Sequence, residues 1–283
     1  MLDVKVSICI PVYNGQAYLS ETIQSVINQT CNSLEIIIQD NCSTDATLSI
    51  VNEFKLKDSR IKLRENSRFV SMAANWNLAT KDVSGDFILL LSADDLLNQD
   101  FIEECLNLFE VDKELDFVTA NHLLLEKEKL RKRKIKVQPG KREVSCHEIL
   151  LKNPFSINFT LFRKDFSESM RSSRGNLFRE PFYTCDYDLW LRASQSAARL
   201  NFIEKPLGIY RVHQSSLSSN KLRMIKHTLL VLELNRMHLI DSGCLLNYKL
   251  VALRLLARKI IIFFRNGVFS KNIFKILIYR ILF

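Results

Sequence analysis

The stretch Leu89–Leu97, "LLLSADDLL", decides the fold: an apolar run long enough for a buried strand passes straight into two adjacent carboxylates. Neighbouring Asp side chains repel each other and resist burial. A strand that ends on such a pair must deliver it to a solvated turn or to a cation. Phe87–Leu91 therefore reads as a buried strand, with Asp94 and Asp95 in the turn beyond its carboxyl end.

On either side of this stretch the pattern alternates between two periods. Val6-Ser7-Ile8-Cys9-Ile10 is a buried strand ended by Pro11, and Leu34–Ile38 is a second. Between and after them, Leu19, Ile23, Val26 and Ile27, then Thr47, Ile50, Val51 and Phe54, recur at helical spacing. The second helix is entered through the cap-type residues Ser43, Thr44 and Asp45. A short strand at Ile61–Leu63, a helix over Ala73–Thr80, a helical face at Phe101, Ile102, Cys105, Leu108 and Phe109, and a strand at Asp116–Ala120 continue the series. Such alternation predicts an α/β fold, a mostly parallel sheet flanked by helices. Ligands of such sheets bind beyond the carboxyl ends of the strands. Asp40 and the Asp94–Asp95 pair fall on that same edge.

From 121 to 180 the pattern loosens around an expected strand at Phe155–Phe162. Asp186–Ala193 then reads as a helix start with carboxylates in its first turn. Leu207–Val212 is strand-like and ends at His213.

The chain has 283 residues, 47% of them apolar, which is enough for a large core. Its seven cysteines, at 9, 31, 42, 105, 146, 185 and 244, never fall within three residues of each other. That spacing argues against a disulfide framework or a CxxC zinc site and suits a reducing cytosol. Neither a signal peptide nor a transmembrane helix is expected. The net charge of +9 is unevenly placed. Eight basic and no acidic residues lie between Cys244 and Phe283, and Lys127–Arg142 holds nine Lys or Arg with one Glu. The body outside these segments is acidic, which argues against a nucleic-acid partner.

Asp40, Asp94, Asp95, Asp186, Asp188 and His213 form a donor set suited to Mn²⁺ or Mg²⁺. A cation there would neutralise the Asp pair and stabilise charge on a departing diphosphate. A separate carboxylate, Asp186 or Asp188, is placed to take a proton from an attacking hydroxyl.

Five segments in order, "VSICIPVYNG" (6–15), "LEIIIQDNCSTD" (34–45), "NWNLATKDVSGDFILLLSADDLL" (75–97), "CDYDLWLRA" (185–193) and "YRVHQSSLS" (210–218), resemble the motifs of family-2 glycosyltransferases. The resemblance spans about residues 4–220. It implies a GT-A, Rossmann-like fold and inverting transfer from a nucleotide-sugar, with a lean toward UDP. By it, Pro11, Val12, Tyr13, Asn14 and Asp40 line the nucleotide pocket together with Asn75. Asp95 is the metal ligand, with Asp94 near ribose or metal. Asp186 is the general base, and His213 is a second metal or diphosphate contact, with Arg211 beside it. The catalytic domain would run over 1–220, with a nucleotide-sugar half to 120 and an acceptor half from 121.

Three positions depart from the family pattern. Ser92 replaces an Asp, Cys42 stands where a turn Gly is usual, and Cys185 replaces a Glu. Cys42 implies a turn that tolerates a side chain. Asn28-Gln29-Thr30 and Asn158-Phe159-Thr160 match glycosylation sequons without consequence in a cytosolic chain. Residues 221–283 read as a helical, basic extension, with Arg254, Arg258 and Arg265 on one face, suited to a membrane surface. The expected acceptor is then a glycan or lipid-linked oligosaccharide at the cytoplasmic face of the inner membrane. Two rivals stand beside this: an inactive nucleotide-binding scaffold, and a sugar nucleotidyltransferase. The latter needs a Gly-rich loop where "PVYNGQAYL" has one Gly.

Overall fold

Strands β1 (Val6–Val12) and β2 (Leu34–Asp40) are buried at every residue, as strands covered on both faces must be. The computed structural model describes residues 6–133 and 138–265, with side chains as far as Arg258. Helices α1 (Leu19–Ile27) and α2 (Thr47–Lys57) connect β1 to β2 and β2 to β3 (Ile61–Glu65). Then follow α3 (Met72–Ala79), β4 (Phe87–Leu90), β5 (Leu96–Leu97), α4 (Phe101–Val111), β6 (Phe117–Glu126), β7 (Lys129–Lys132) and β8 (Gly140–Glu143). The rest is α5 (Cys146–Lys152), β9 (Thr160–Arg163), α6 (Lys164–Ser169), α7 (Cys185–Gln195), β10 (Arg199–Val212), α8 (Lys221–Leu234), α9 (Arg236–Asp241) and α10 (Leu245–Arg265).

The strands form one sheet in the order β3-β2-β1-β4-β9-β6-β10-β5, with β7 on β6 and β8 on β10. β1 runs parallel to β2 and β4, and β6 parallel to β10, while β9 is antiparallel to both β4 and β6. The carboxyl ends of β1, β2, β4 and β10 therefore share one rim. Alternate residues of each strand feed two cores. Ile8, Ile36, Leu89 and Leu91 pack with Ile23 and Phe101 on one face, and Cys9, Ile37, Ile88 and Leu90 with Phe162, Phe178 and Trp190 on the other.

The structure departs from the sequence reading in four places. The strand expected at Phe155–Phe162 is a 3₁₀ turn, Ile157–Phe159, followed by β9. β10 begins at Arg199 rather than Leu207 because it also pairs with β8 and the start of β6. A division at 120/121 falls inside the single strand β6, where its pairing with β10 shifts register between Ala120↔Ile203 and Asn121↔Pro206 and then resumes to Glu126. Where the pattern loosens after 121, Lys127 and Glu128, both at positive φ, form the two-residue turn of the β6–β7 hairpin; positions 134–137 of the basic run lie outside the described residues.

The extension is helical through Arg265. Its Val231, Leu232, Leu239 and Tyr248 join the core that holds Trp190. Arg254 and Arg258 of α10 are exposed, and 266–283, part of the segment expected at a membrane, lie outside the described residues. No described helix is long and apolar enough to cross a membrane. Cys146 on α5 and Cys244 before α10 are disulfide-bonded across 98 residues of sequence, where no disulfide was expected. The pair meets only because α10 packs on α5, so sequence spacing carries no sign of it.

Candidate active site

The turn after β4 separates the two carboxylates of the opening stretch. Asp95 is fully buried and both its oxygens are engaged. The Arg211 backbone N–H donates to Oδ1 at 2.8 Å, and Asn158 Nδ2 donates to Oδ2 at 2.5 Å. Burial first, and the neighbouring charge of Asp94 second, push its pKa well above the usual carboxylate range. Asp94 instead faces the rim, with its Oδ2 2.8 Å from His213 Nε2. The metal-ligand role expected of Asp95 thus does not suit its surroundings. Asp94 and His213 are the accessible pair.

Asn158 holds this arrangement from the 3₁₀ turn. Its Oδ1 accepts from both the N–H and the hydroxyl of Ser92, at 3.2 and 3.0 Å. Ser92 is therefore an anchor of the turn and not a gap in a metal shell. Gly208 lets β10 lie against that turn, since a Cβ there would stand 2.2 Å from the Phe159 ring. Arg211 completes the grip. It donates through Nε to the Asp94 carbonyl at 2.9 Å, pairs with Glu21 and lies over the Tyr18 ring.

A cation fits what remains. One carboxylate oxygen and one imidazole nitrogen, 2.8 Å apart, suit neighbouring positions on Mn²⁺ or Mg²⁺, where arms of about 2.1 Å set ligands roughly 3 Å apart. Among the described residues no group of three or more His, Cys, Asp or Glu is placed to hold a metal. The remaining ligands would be phosphate oxygens and water, the usual case for Mg²⁺.

The two carboxylates of α7 also diverge. Asp188 is fully buried and bonded to Arg192 Nε at 2.9 Å, Arg179 Nη1 at 3.2 Å and Asn235 Nδ2 at 3.1 Å. It is structural. Asp186 is half-buried, forms no ion pair with a described residue, and takes backbone N–H donors of the first helical turn. Burial still outweighs those donors and raises its pKa. The Tyr210 phenol stands on β10, one residue before Arg211. Its pKa is pushed up to about 12, by burial first, with the charges of Asp95, Asp94 and Asp186 adding to the shift.

On the other side of the rim, Val12 lies opposite Asp40 in register, as Pro11 does Gln39. Asp40 Oδ2 accepts from the Ser43 N–H at 3.0 Å, whereas Oδ1 is buried without a partner. Beside it the half-exposed Tyr13 meets Phe69 edge-on, with ring centres 4.9 Å apart. Asn14 caps the next loop by accepting from the Thr44 N–H. Cys42 has φ 62°, so the turn does demand the left-handed conformation and Cys accepts it under strain. Asn75 is committed within the protein: it accepts from Asn66 at 2.8 Å and donates to the Gln39 carbonyl. Phe69 carried no signal in the sequence; Asn158 stood out only as part of a sequon, and Tyr210 lay inside the 210–218 motif without a role assigned to it.

A ten-stranded mixed sheet between helical layers, with its polar groups on one rim, defines the GT-A class of α/β enzymes. Solved structures share it: a Pyrobaculum calidifontis mannosyltransferase in complex with GDP-Man and Mn²⁺ (TM-score 0.66, 15% identity, 97% of this chain and 79% of that one) and Staphylococcus aureus TarS in complex with UDP-GlcNAc (0.63, 19%, 81% and 65%). The model of glycosyl transferase family 2 matches residues 7–177, and the chain belongs to that family. Among curated relatives, the Escherichia coli UDP-Glc:α-D-GlcNAc-diphosphoundecaprenol β-1,3-glucosyltransferase WfgD is 30% identical over 244 residues, 80% of this chain and 84% of its own. The putative teichuronic acid biosynthesis glycosyltransferase TuaG of Bacillus subtilis is 27% identical over 248 residues, 86% and 94% of the two chains.

Proposed function

We propose that this glycosyltransferase moves a sugar, with inversion, from a UDP-sugar to a hydroxyl of a lipid-linked or surface glycan. The observation that carries the reading is the rim pair Asp94 and His213, 2.8 Å apart, with Asp186 half-buried at the start of α7 and in no ion pair with a described residue. Asp186 accepts the proton of the acceptor hydroxyl as that oxygen attacks the anomeric carbon from the face opposite the diphosphate. General base assistance of this kind supplies about 10²–10⁴-fold. Asp94 and His213 would hold Mn²⁺ or Mg²⁺, and the bound ion would supply charge stabilisation to the leaving diphosphate. The unpartnered Oδ1 of Asp40 accepts the imide N–H of the base, and Tyr13 and Phe69 offer it ring faces. The acceptor class is supported by WfgD, whose acceptor is a diphosphoundecaprenol-linked sugar.

The test is a thermal-shift screen of UDP, GDP and dTDP with and without Mn²⁺, on wild type, Asp94→Ala and His213→Ala. UDP is expected to stabilise the wild type only with the cation, and both variants are expected to lose that dependence. A cation-independent shift, or an unchanged one in both variants, rejects the assignment.

A further inference from the structure

A cavity of about 490 Å³ opens between α8 and α10, within the usual size of ligand pockets. Its walls are apolar, from Met224 and Ile225 on α8 and Leu255 on α10. Its rim is cationic, from Lys221 and Arg258, neither of which forms an ion pair with a described residue. Lys221 is also the first residue of a 14-residue helix, where the dipole favours an anion. The last rim residue, Ser218, ties the cavity to the chemistry. Its hydroxyl lies 3.1 Å from the Tyr210 phenol, and Tyr210 immediately precedes Arg211, whose backbone N–H holds Asp95 in the rim turn.

Two chemistries thus meet at one mouth, one hydrogen bond from the catalytic rim. A free sugar needs neither feature, an inorganic anion needs only the cations, and a lipid alcohol needs only the walls. We infer that this cavity receives the lipid-diphosphate end of the acceptor. The diphosphate lies between Lys221 and Arg258, and the first isoprenoid units lie against Met224, Ile225 and Leu255. The sugar at the other end of the diphosphate then passes Ser218 and Tyr210 toward Asp186. This placement rests on the transferase reading above and adds to it where the acceptor's carrier sits.

The test uses the full chain and farnesyl diphosphate as a short, soluble probe, with binding measured by calorimetry. A Lys221→Ala/Arg258→Ala variant is expected to raise the probe's Kd at least tenfold. Thr228→Trp, which fills the cavity from its α8 wall, is expected to do the same. Both should keep the wild-type melting temperature and the Mn²⁺-dependent UDP shift, which rules out misfolding. Inorganic diphosphate and farnesol are each expected to bind at least tenfold more weakly than the probe. Equal affinity for all three, wild-type affinity in both variants, or displacement of the probe by phosphatidylglycerol vesicles at matched lipid concentration overturns the inference. Loss of the UDP shift with probe binding intact rejects the transferase reading alone. A normal UDP shift without probe binding rejects the cavity assignment alone.

Discussion

Two Asp→Asn substitutions, two residues apart on α7, should have opposite consequences. In Asp188→Asn the Arg192 guanidinium, 9% exposed at its side chain, loses the charge that balances it. Removing one partner of a buried pair costs about 3–5 kcal/mol. Arg192 keeps the carbonyls of Met170 and Leu177, each at 2.6 Å, which favours the lower end. The second partner, Arg179, is 37% exposed and adds little once solvent screens it. A loss of about 3 kcal/mol, at roughly 2–4 °C per kcal/mol for a chain of this size, lowers Tm by ~6–12 °C. Asp186→Asn behaves differently. Burial raises the folded-state pKa of Asp186, so its ionised form opposes folding at neutral pH. Removing that charge should leave Tm level or raise it, while turnover, followed as released nucleoside diphosphate, falls by about 10²–10⁴-fold. Differential scanning fluorimetry and the release assay on both proteins decide the matter. A wild-type Tm for Asp188→Asn, or a destabilised Asp186→Asn, would refute the division of roles.

Three further outcomes follow from the same structure. With Asp186 as base, kcat/KM should fall on acidification at a pH above the ordinary Asp value of about 3.9, because its pKa is raised and the ionised form is the active one; a pH–rate profile from 4 to 9 checks this. Asp40→Ala should weaken UDP about 10–100-fold, the worth of a charge-assisted hydrogen bond, and leave inorganic diphosphate binding unchanged by titration calorimetry. Cys42→Gly should stabilise the chain by about 0.5–1 kcal/mol in urea unfolding, because relief of roughly 1–2 kcal/mol of left-handed strain exceeds the added freedom of Gly in the unfolded chain.

The first half of the fold was legible because its strands are buried on both faces and its helices on one, so both periods stand clear in the sequence. Asp40 and the Asp94–Asp95 turn fell at strand ends and could be placed on one edge. Which carboxylate of each pair faces the chemistry could not be read. Asp94 and Asp95 are told apart by Asn158, Arg211 and His213, and Asp186 and Asp188 by Arg179, Arg192 and Asn235. All but Arg192 lie outside the helix or turn they act on. Asn158 looked like part of a sequon, and its role arises from the 3₁₀ turn that replaced an expected strand. The fit of α8 and α10 was hidden as well, since a basic helix with one apolar stripe reads alike whether it rests on lipid or on a domain.

The four-way hold of Arg211 has a consequence for biosynthesis. It seizes Asp95 across 116 positions of chain, after Asn158 has reached the same side chain across 63. A ribosome releases these partners long after the loop itself. The leading third of the polypeptide therefore emerges with its donor-side acids unmoulded, and the loop takes its working shape only when the late strand threads back beside it. Fragments that stop short of residue 211 should lack that shape however completely their early strands have paired.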